Sequence, residues 1–157
     1  MRHLTVPRTL CYLLHGDDVL LIRRGRHKRI FPGKINGIGG HVEADEDVAA
    51  SAAREILEET GLAVDDLRLA GVVHVEGGLG QSEALPDGAL PGVMLFVFTG
   101  LAPSRQVRAS DEGELIWVPL AQVKELDWAA GGAELLQAGL EARRSGRPFS
   151  LYRGASG

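Results

Sequence analysis

Cysteine is almost absent: Cys11 is the single one in 157 residues. One thiol forms no intramolecular disulfide, and this one stands in an apolar run as a small buried hydrophobe does. A reducing, cytoplasmic setting is the expectation. Positive net charge is missing too. Lys and Arg number 17 against 21 Asp and Glu, a formal charge of −4, which excludes broad attraction to DNA, RNA or an anionic membrane. No stretch approaches the roughly 18 apolar residues of a membrane span. Arg2 and His3 precede a short apolar run, but Asp17 and Asp18 follow at once without a small-residue cleavage site, so no secretory leader is expected. Repeats and low-complexity segments are also lacking. What remains is an ordinary globular composition, 45% hydrophobic and 24% charged, long enough for one domain over 1–157 with a real core.

Against that plain background one stretch is dense with pattern. Residues 40–62 read GHVEADEDVAASAAREILEETGL, which satisfies G-x5-E-x7-R-E-U-x-E-E-x-G-U with U a bulky aliphatic residue. Gly40, Glu46, Arg54, Glu55, Ile56, Glu58, Glu59, Gly61 and Leu62 fill every specified position. From average residue usage, a chance match in a chain this long has a probability on the order of 10⁻⁷ to 10⁻⁸. Residues 45–60 read as a helix, with Asp45 as N-cap, acids in the first turn and Gly61 as the stop. Ala49, Ala52, Ala53, Ile56 and Leu57 form the face expected to pack on a sheet. Glu55, Glu58 and Glu59 fall at i, i+3 and i+4, so three carboxylates share one face.

Like charges on adjacent turns repel, so a stable helix needs a reason to carry them. Carboxylate oxygens on a rigid element suit Mg²⁺ or Mn²⁺ bound together with substrate phosphates and water. One carboxylate is then free to activate water. Arg54, four residues before Glu58, is placed to pair with it and orient it.

Elsewhere the pattern is of strands. Arg8–His15 and Val19–Arg24 read as a hairpin around Gly16-Asp17-Asp18. Residues 25–32 form a basic loop, and Lys34–Val42 a glycine-rich strand where backbone approaches a ligand closely. Further strands are expected at 67–75, 93–99 and 115–118, and helices at 121–126 and 133–144. Residues 76–92 form a long Gly- and Pro-rich loop, either a lid over substrate or an insertion. The last residues, 154–157, are expected to fray.

The 40–62 motif is the Nudix box, and the chain resembles the Nudix hydrolases from about Thr9 to Leu140. The resemblance implies an α+β Nudix fold, an α/β/α sandwich around a central mixed β-sheet. It implies metal ligation by Glu58 and Glu59, with Glu55 a further ligand or the general base. Gly39 would add a backbone carbonyl to the metal, and Glu112, ahead of a strand, would complete the site; as an exposed loop acid it would have no such role. Residues Lys34-Ile35-Asn36-Gly37-Ile38-Gly39-Gly40 are similar to the site-entering strand of MutT-like enzymes, closest to the oxidised-purine branch. There Asn36 would read the base, with Lys34 beside it and Trp128, or less well Phe31, as a stacking platform. Trp128 reads equally as a core residue. The chain departs from that branch in having Ile35 and Ile38 for aromatics, His41 for lysine, and no paired aspartates after Trp128. Arg23 or Arg24, at a strand end, suits a phosphate, while their loop neighbours read as a solvated basic patch.

The expected activity is Mg²⁺-dependent hydrolysis of a nucleoside triphosphate to monophosphate and pyrophosphate, with oxidised purine nucleotides such as 8-oxo-dGTP as a candidate substrate. Hydrolysis of a nucleoside diphosphate linked to another group (a sugar, a second nucleoside, an RNA cap) is the second reading. A non-catalytic nucleotide sensor is the third. The expected partner is the nucleotide itself, with no stable nucleic-acid or membrane partner, and the resemblance carries a homodimer as its assembly.

Overall fold

A computed structural model describes residues 2–28, 31–77, 86, 88, 90–129 and 131–154. Most of the loop read as lid or insertion, and residues 155–157 of the terminus expected to fray, lie outside them. The first strands follow from strict alternation. In β1 (Thr5–His15) Cys11 and Leu13 face one way, while Leu10 and Tyr12 face the other. In β2 (Asp18–Arg24) Leu20 and Ile22 join the first set, and Val19 and Leu21 the second. A period of two thus builds two cores, one on each side of a single sheet. The two strands meet through a two-residue turn, where Gly16 takes a φ of 59°, as tight hairpin loops require. Asp18, expected in the turn, is instead the first residue of β2, paired with His15.

The glycine-rich stretch is not one strand but two, β3 (Ile35–Asn36) and β4 (Ile38–His41). They part because β1 is longer than β2. β3 pairs with the far half of β2, and β4 with the near half of β1, from Arg8↔His41 to Cys11↔Ile38. Gly37 makes the crossing: a Cβ there would lie 2.9 Å from the Cys11 carbonyl oxygen and from the Tyr12 ring.

The helix α1 spans Val48–Thr60, with Asp47 as its cap, not Asp45. The Asp47 side chain accepts the Ala50 N–H at 3.0 Å. Gly61 does end it, at a φ of 79° with its N–H on the Leu57 carbonyl. The buried face differs from expectation. Ser51, Ala52, Ile56, Glu59 and Thr60 are buried, whereas Ala49 and Ala53 are exposed and Leu57 is 48% exposed. Polar residues can take that face because they are satisfied there: the Thr60 hydroxyl donates to the Ile56 carbonyl at 2.7 Å. The helix is therefore rotated so that Glu55 and Glu59 lie at the seam with the sheet.

Strands β5 (Arg68–Val75), β6 (Gly92–Leu101) and β7 (Gly113–Pro119) follow. The helix expected at 121–126 is a 3₁₀ helix over Leu120–Glu125, and α2 (Gly132–Ser145) covers the second core. A final strand, β8 (Phe149–Arg153), was not expected from the sequence. It runs parallel to β5, its Phe149 ring laid over Gly71, where a Cβ would come within 2.5 Å. The sheet order is β3-β2-β1-β6-β5-β8, with β4 on β1 and β7 on β2. β1–β6 and β5–β8 are parallel and the other pairings antiparallel, so the sheet is mixed. With α1 on one face and α2 on the other, the architecture is the α+β sandwich expected. No helix among the described residues is long and apolar enough to cross a membrane.

Candidate active site

The site forms where α1 meets β4. Gly39 and Gly40 leave room there that any side chain would fill. A Cβ at Gly39 would sit 2.0 Å from the Thr9 carbonyl oxygen, and one at Gly40 would sit 2.5 Å from Glu55 Oε1. Strand β4 thus lies flat on β1, and the Glu55 carboxylate lies against its backbone. A cavity of about 480 Å³ opens at this seam. Gly39, Gly40, Glu55, Glu59 and Glu112 line it, together with Arg8, Arg24 and Lys28. A second hollow of about 350 Å³ adjoins, sharing Glu55, Glu59 and Glu112 and adding Glu58 and residues 109–111.

Burial and crowding set the electrostatics. Glu59 is only 8% exposed. Its pKa is pushed up to about 8, first by burial, then by the negative charges of Glu55 and Glu112, against an opposing Gly39 N–H. Burial also raises Glu55, partly offset by Arg54. Both prefer a proton at pH values where free glutamate is ionised, unless positive charge arrives. Arg54 organises the rest. Its guanidinium donates to Glu46 at 2.7 and 3.0 Å, to Glu55 at 3.2 Å, to Glu58 at 3.2 Å and to the His41 carbonyl at 3.3 Å. Glu46, which also accepts the Glu43 N–H, is held down at about 2, chiefly by Arg54. One guanidinium therefore ties the helix start, two box acids and the end of β4 into a single unit.

An all-oxygen donor set with an excess of negative charge fits a hard divalent cation. Among the described residues, no three His, Cys, Asp or Glu side chains converge into a ready-made metal cage. That arrangement suits an ion keeping several waters and leaning on substrate phosphate rather than one caged by protein.

Of the residues singled out by sequence, Gly39, Glu55, Glu59, Glu112 and Arg24 come together in the main cavity. Glu58 lies in the adjoining hollow and Arg54 behind both. Arg23 is exposed and, by strand alternation, faces away from Arg24. Phe31, Lys34, Asn36 and Trp128 do not line the cavity. They belong to the β3 edge, where Ile35 is stitched to residues 127–129 by two backbone hydrogen bonds of 2.8 Å. Lys34 pairs with Asp127 at 2.7 Å. The Asn36 side-chain oxygen accepts the Gly37 N–H at 2.9 Å. The Trp128 indole donates to the Val123 carbonyl at 2.7 Å, and its ring packs on the second core. Phe31 is half-buried at a φ of 49°.

Sequence reading missed Arg8, His41 and Glu43 as cavity residues and treated Lys28 as solvated loop. Lys28 pairs with Glu112 at 3.1 Å, and both line the cavity. The only signal for Arg8 was the β1–β4 register, which places it opposite His41.

The NUDIX domain family matches residues 4–139. Isopentenyl-diphosphate Delta-isomerase of Mycolicibacterium vanbaalenii is 32% identical over 140 residues, covering 82% of this chain and 74% of that protein. Oxidized purine nucleoside triphosphate hydrolase of Danio rerio is 41% identical over 78 residues, 49% of this chain and 47% of the relative, so that match spans about half of each. Among solved structures, the MutT protein from Bacillus halodurans superposes with a TM-score of 0.67 at 28% identity, covering 84% of this chain and 80% of the other.

Proposed function

Because this chain belongs to the NUDIX domain family and is an enzyme hydrolysing phosphoanhydride bonds in nucleotides, we propose that its reaction converts a nucleoside triphosphate to monophosphate and pyrophosphate with Mg²⁺ as cofactor, Mn²⁺ substituting. The observation that carries this is the mixed lining of one cavity, where the acids Glu55, Glu59 and Glu112 meet the bases Arg24 and Lys28. Acids can hold a divalent cation while the bases hold phosphate oxygens. Glu58 and Glu59, with Glu55, Glu112 and the Gly39 carbonyl, are the groups that would hold Mg²⁺. When bound, the ion neutralises charge on the bridging and leaving oxygens.

The chain's own residues do the rest. Glu55, half-buried with a raised pKa, accepts a proton from a water whose oxygen attacks phosphorus. A P–O–P bond breaks and its electrons pass to the leaving phosphate. Arg54 keeps Glu55 and Glu58 aimed, through the contacts described above. Arg24 steadies the phosphate chain. Oxidised purine nucleotides are the candidate substrates, supported by the Danio rerio relative's name and by the similarity of residues 34–40 to the oxidised-purine branch.

A second reading, hydrolysis of a nucleoside diphosphate linked to another group, is favoured by one observation. The polar atoms of Asn36 and Trp128 named above are engaged by backbone, and the main cavity is lined by charge rather than by groups that read a base. Incubation with standard, oxidised and sugar-linked nucleotides in Mg²⁺ separates the readings by product. Pyrophosphate from triphosphates supports the first, and a phosphorylated leaving group supports the second. Glu58→Gln and Glu59→Gln are expected to abolish turnover, and full activity in both would end the proposal. Binding without any turnover would instead identify a nucleotide sensor.

A further inference from the structure

The end of α1 is built against its own electrostatics. Its last turn, residues 57–60, carries Glu58 and Glu59 and no basic residue, so acidic side chains stand at the negative pole of the helix. The carbonyls of that turn also need donors from outside the helix. Arg108, far along the chain, answers both needs. Its guanidinium donates to the Leu57 carbonyl at 2.9 Å and to the Glu58 carbonyl at 3.2 Å. Its backbone N–H donates to the Thr60 carbonyl at 3.0 Å. Its stem crosses Gly61, where a Cβ would lie 3.3 Å from the Arg108 side-chain carbons.

Arg108 belongs to the segment that joins β6 to β7. The start of that segment is fixed to the sheet. The Ala102 N–H donates to the Leu14 carbonyl at 2.8 Å, and Arg105 pairs with Asp18 at 2.6 Å while lying 5.0 Å from the centre of the Trp117 ring. Its end is a tight turn, in which Ser110 bridges to Gly113 and the Ser110 hydroxyl accepts the Glu112 N–H at 3.3 Å. That turn brings Glu112 to both hollows, beside Glu55 and Glu59, and residues 109–111 line the second hollow with them. Arg108 fastens the turn to the helix that bears the box acids. Four residues on stands Glu112, so fixing Arg108 limits where Glu112 can go.

We propose that Arg108 is a positioning residue: by tying the 109–112 turn to the end of α1, it holds Glu112 where it can share a divalent cation with Glu55 and Glu59. The proposal rests on the reading above that those acids hold Mg²⁺ or Mn²⁺. It gives a role in that reading to a residue outside the box.

The test reads Mn²⁺ uptake by the nucleotide-free full chain, from the electron paramagnetic signal of the free ion. It also reads the Mg²⁺ concentration that gives half-maximal hydrolysis of a nucleoside triphosphate. Arg108→Gln is expected to weaken Mn²⁺ uptake and to raise that Mg²⁺ concentration by about tenfold, the lower end of the effect of groups that orient metal ligands. The rate at saturating Mg²⁺ should change little. Glu112→Gln should shift both readings at least as far. In the Glu112→Gln background, Arg108→Gln should add less than about twofold, since a residue acting through Glu112 then has nothing left to place. A contribution to folding alone would appear in both backgrounds. Arg108→Lys keeps the charge at the helix end and should fall between wild type and Arg108→Gln. Arg147→Gln, exposed after α2, serves as control and should match wild type.

Wild-type Mn²⁺ affinity in a cooperatively melting Arg108→Gln overturns the proposal, as does an equal loss in the Glu112→Gln background. Should Arg108→Gln fail to fold, Arg108→Lys decides: a loss of about threefold or more that vanishes with Glu112→Gln supports the role, and wild-type affinity overturns it. A wild type that takes up no Mn²⁺ overturns it as well. A wild type that takes up Mn²⁺ yet hydrolyses no nucleotide retires the hydrolase reading, and the uptake series alone then decides the role of Arg108.

Discussion

Glu59 should make the metal-free enzyme less stable as the solution becomes more alkaline, and Glu59→Gln should cure this. The side chain is buried beside Glu55 and Glu112, and its pKa is about 8 in the fold against 4.5 when free. A carboxyl raised on folding binds its proton more tightly in the native state. Its stabilising contribution is therefore complete below pH 4.5 and is lost as pH climbs through about 8. At about 1.4 kcal/mol per pH unit, the difference amounts to a few kcal/mol, a large part of the stability of a domain this size. Urea unfolding in chelator between pH 6 and 9 measures it. Wild type should lose a few kcal/mol over that range while Glu59→Gln stays nearly flat and becomes the more stable protein at pH 9. Added Mg²⁺ should restore wild type but not the variant, with proton release near neutral pH seen as a buffer-dependent binding heat. Parallel pH profiles for the two proteins in chelator would refute the reasoning, since Glu59 would then carry no burial penalty.

Three further outcomes follow from the same geometry. Gly40→Ala places a Cβ 2.5 Å from Glu55 Oε1, so initial rates should fall at least tenfold while the far-ultraviolet spectrum is unchanged. Arg24→Gln should raise KM by about tenfold, the cost of one charged hydrogen bond, whereas Arg23→Gln, on the opposite face of β2, should leave it within twofold. Ile56→Ala empties a fully buried position under α1 and should cost about 2 to 5 kcal/mol in denaturant unfolding.

The sheet was legible where one physical rule governs. In β1 and β2 each apolar residue alternates sides, and both cores follow from that alternation. The helix was legible as an element, but its orientation was not, because apolarity points to Ala49, Ala53 and Leu57 while Ser51, Thr60 and Glu59 are the residues buried. Only the tertiary partners of those polar groups decide the matter, and they lie outside the helix pattern. Strand β8 was illegible for another reason. It sits at the sheet edge with Ser150, Leu151 and Tyr152 exposed, so it has no buried face to produce a period of two. The break at Gly37 was hidden in a run of permissive glycines, and it is set by the differing lengths of β1 and β2.

The acidic half of the site was readable because it is local. Gly39 to Glu59 come from one strand, one turn and one helix, so their spacing in sequence is their spacing in space, and a motif can hold it. The cationic half is assembled across the sheet. Arg8 reaches the cavity through its pairing with His41, Arg24 through the alternation of β2, and Lys28 through an ion pair with Glu112, 84 residues away. No spacing rule links those three cations. It follows that reaction type and substrate choice have different sequence signatures in this fold. On the proposed mechanism the carboxylates must stay together for a phosphoanhydride to be cut, which ties them to one short segment. The groups that hold the rest of the substrate can change one strand position at a time without disturbing that segment, so they leave no fixed pattern.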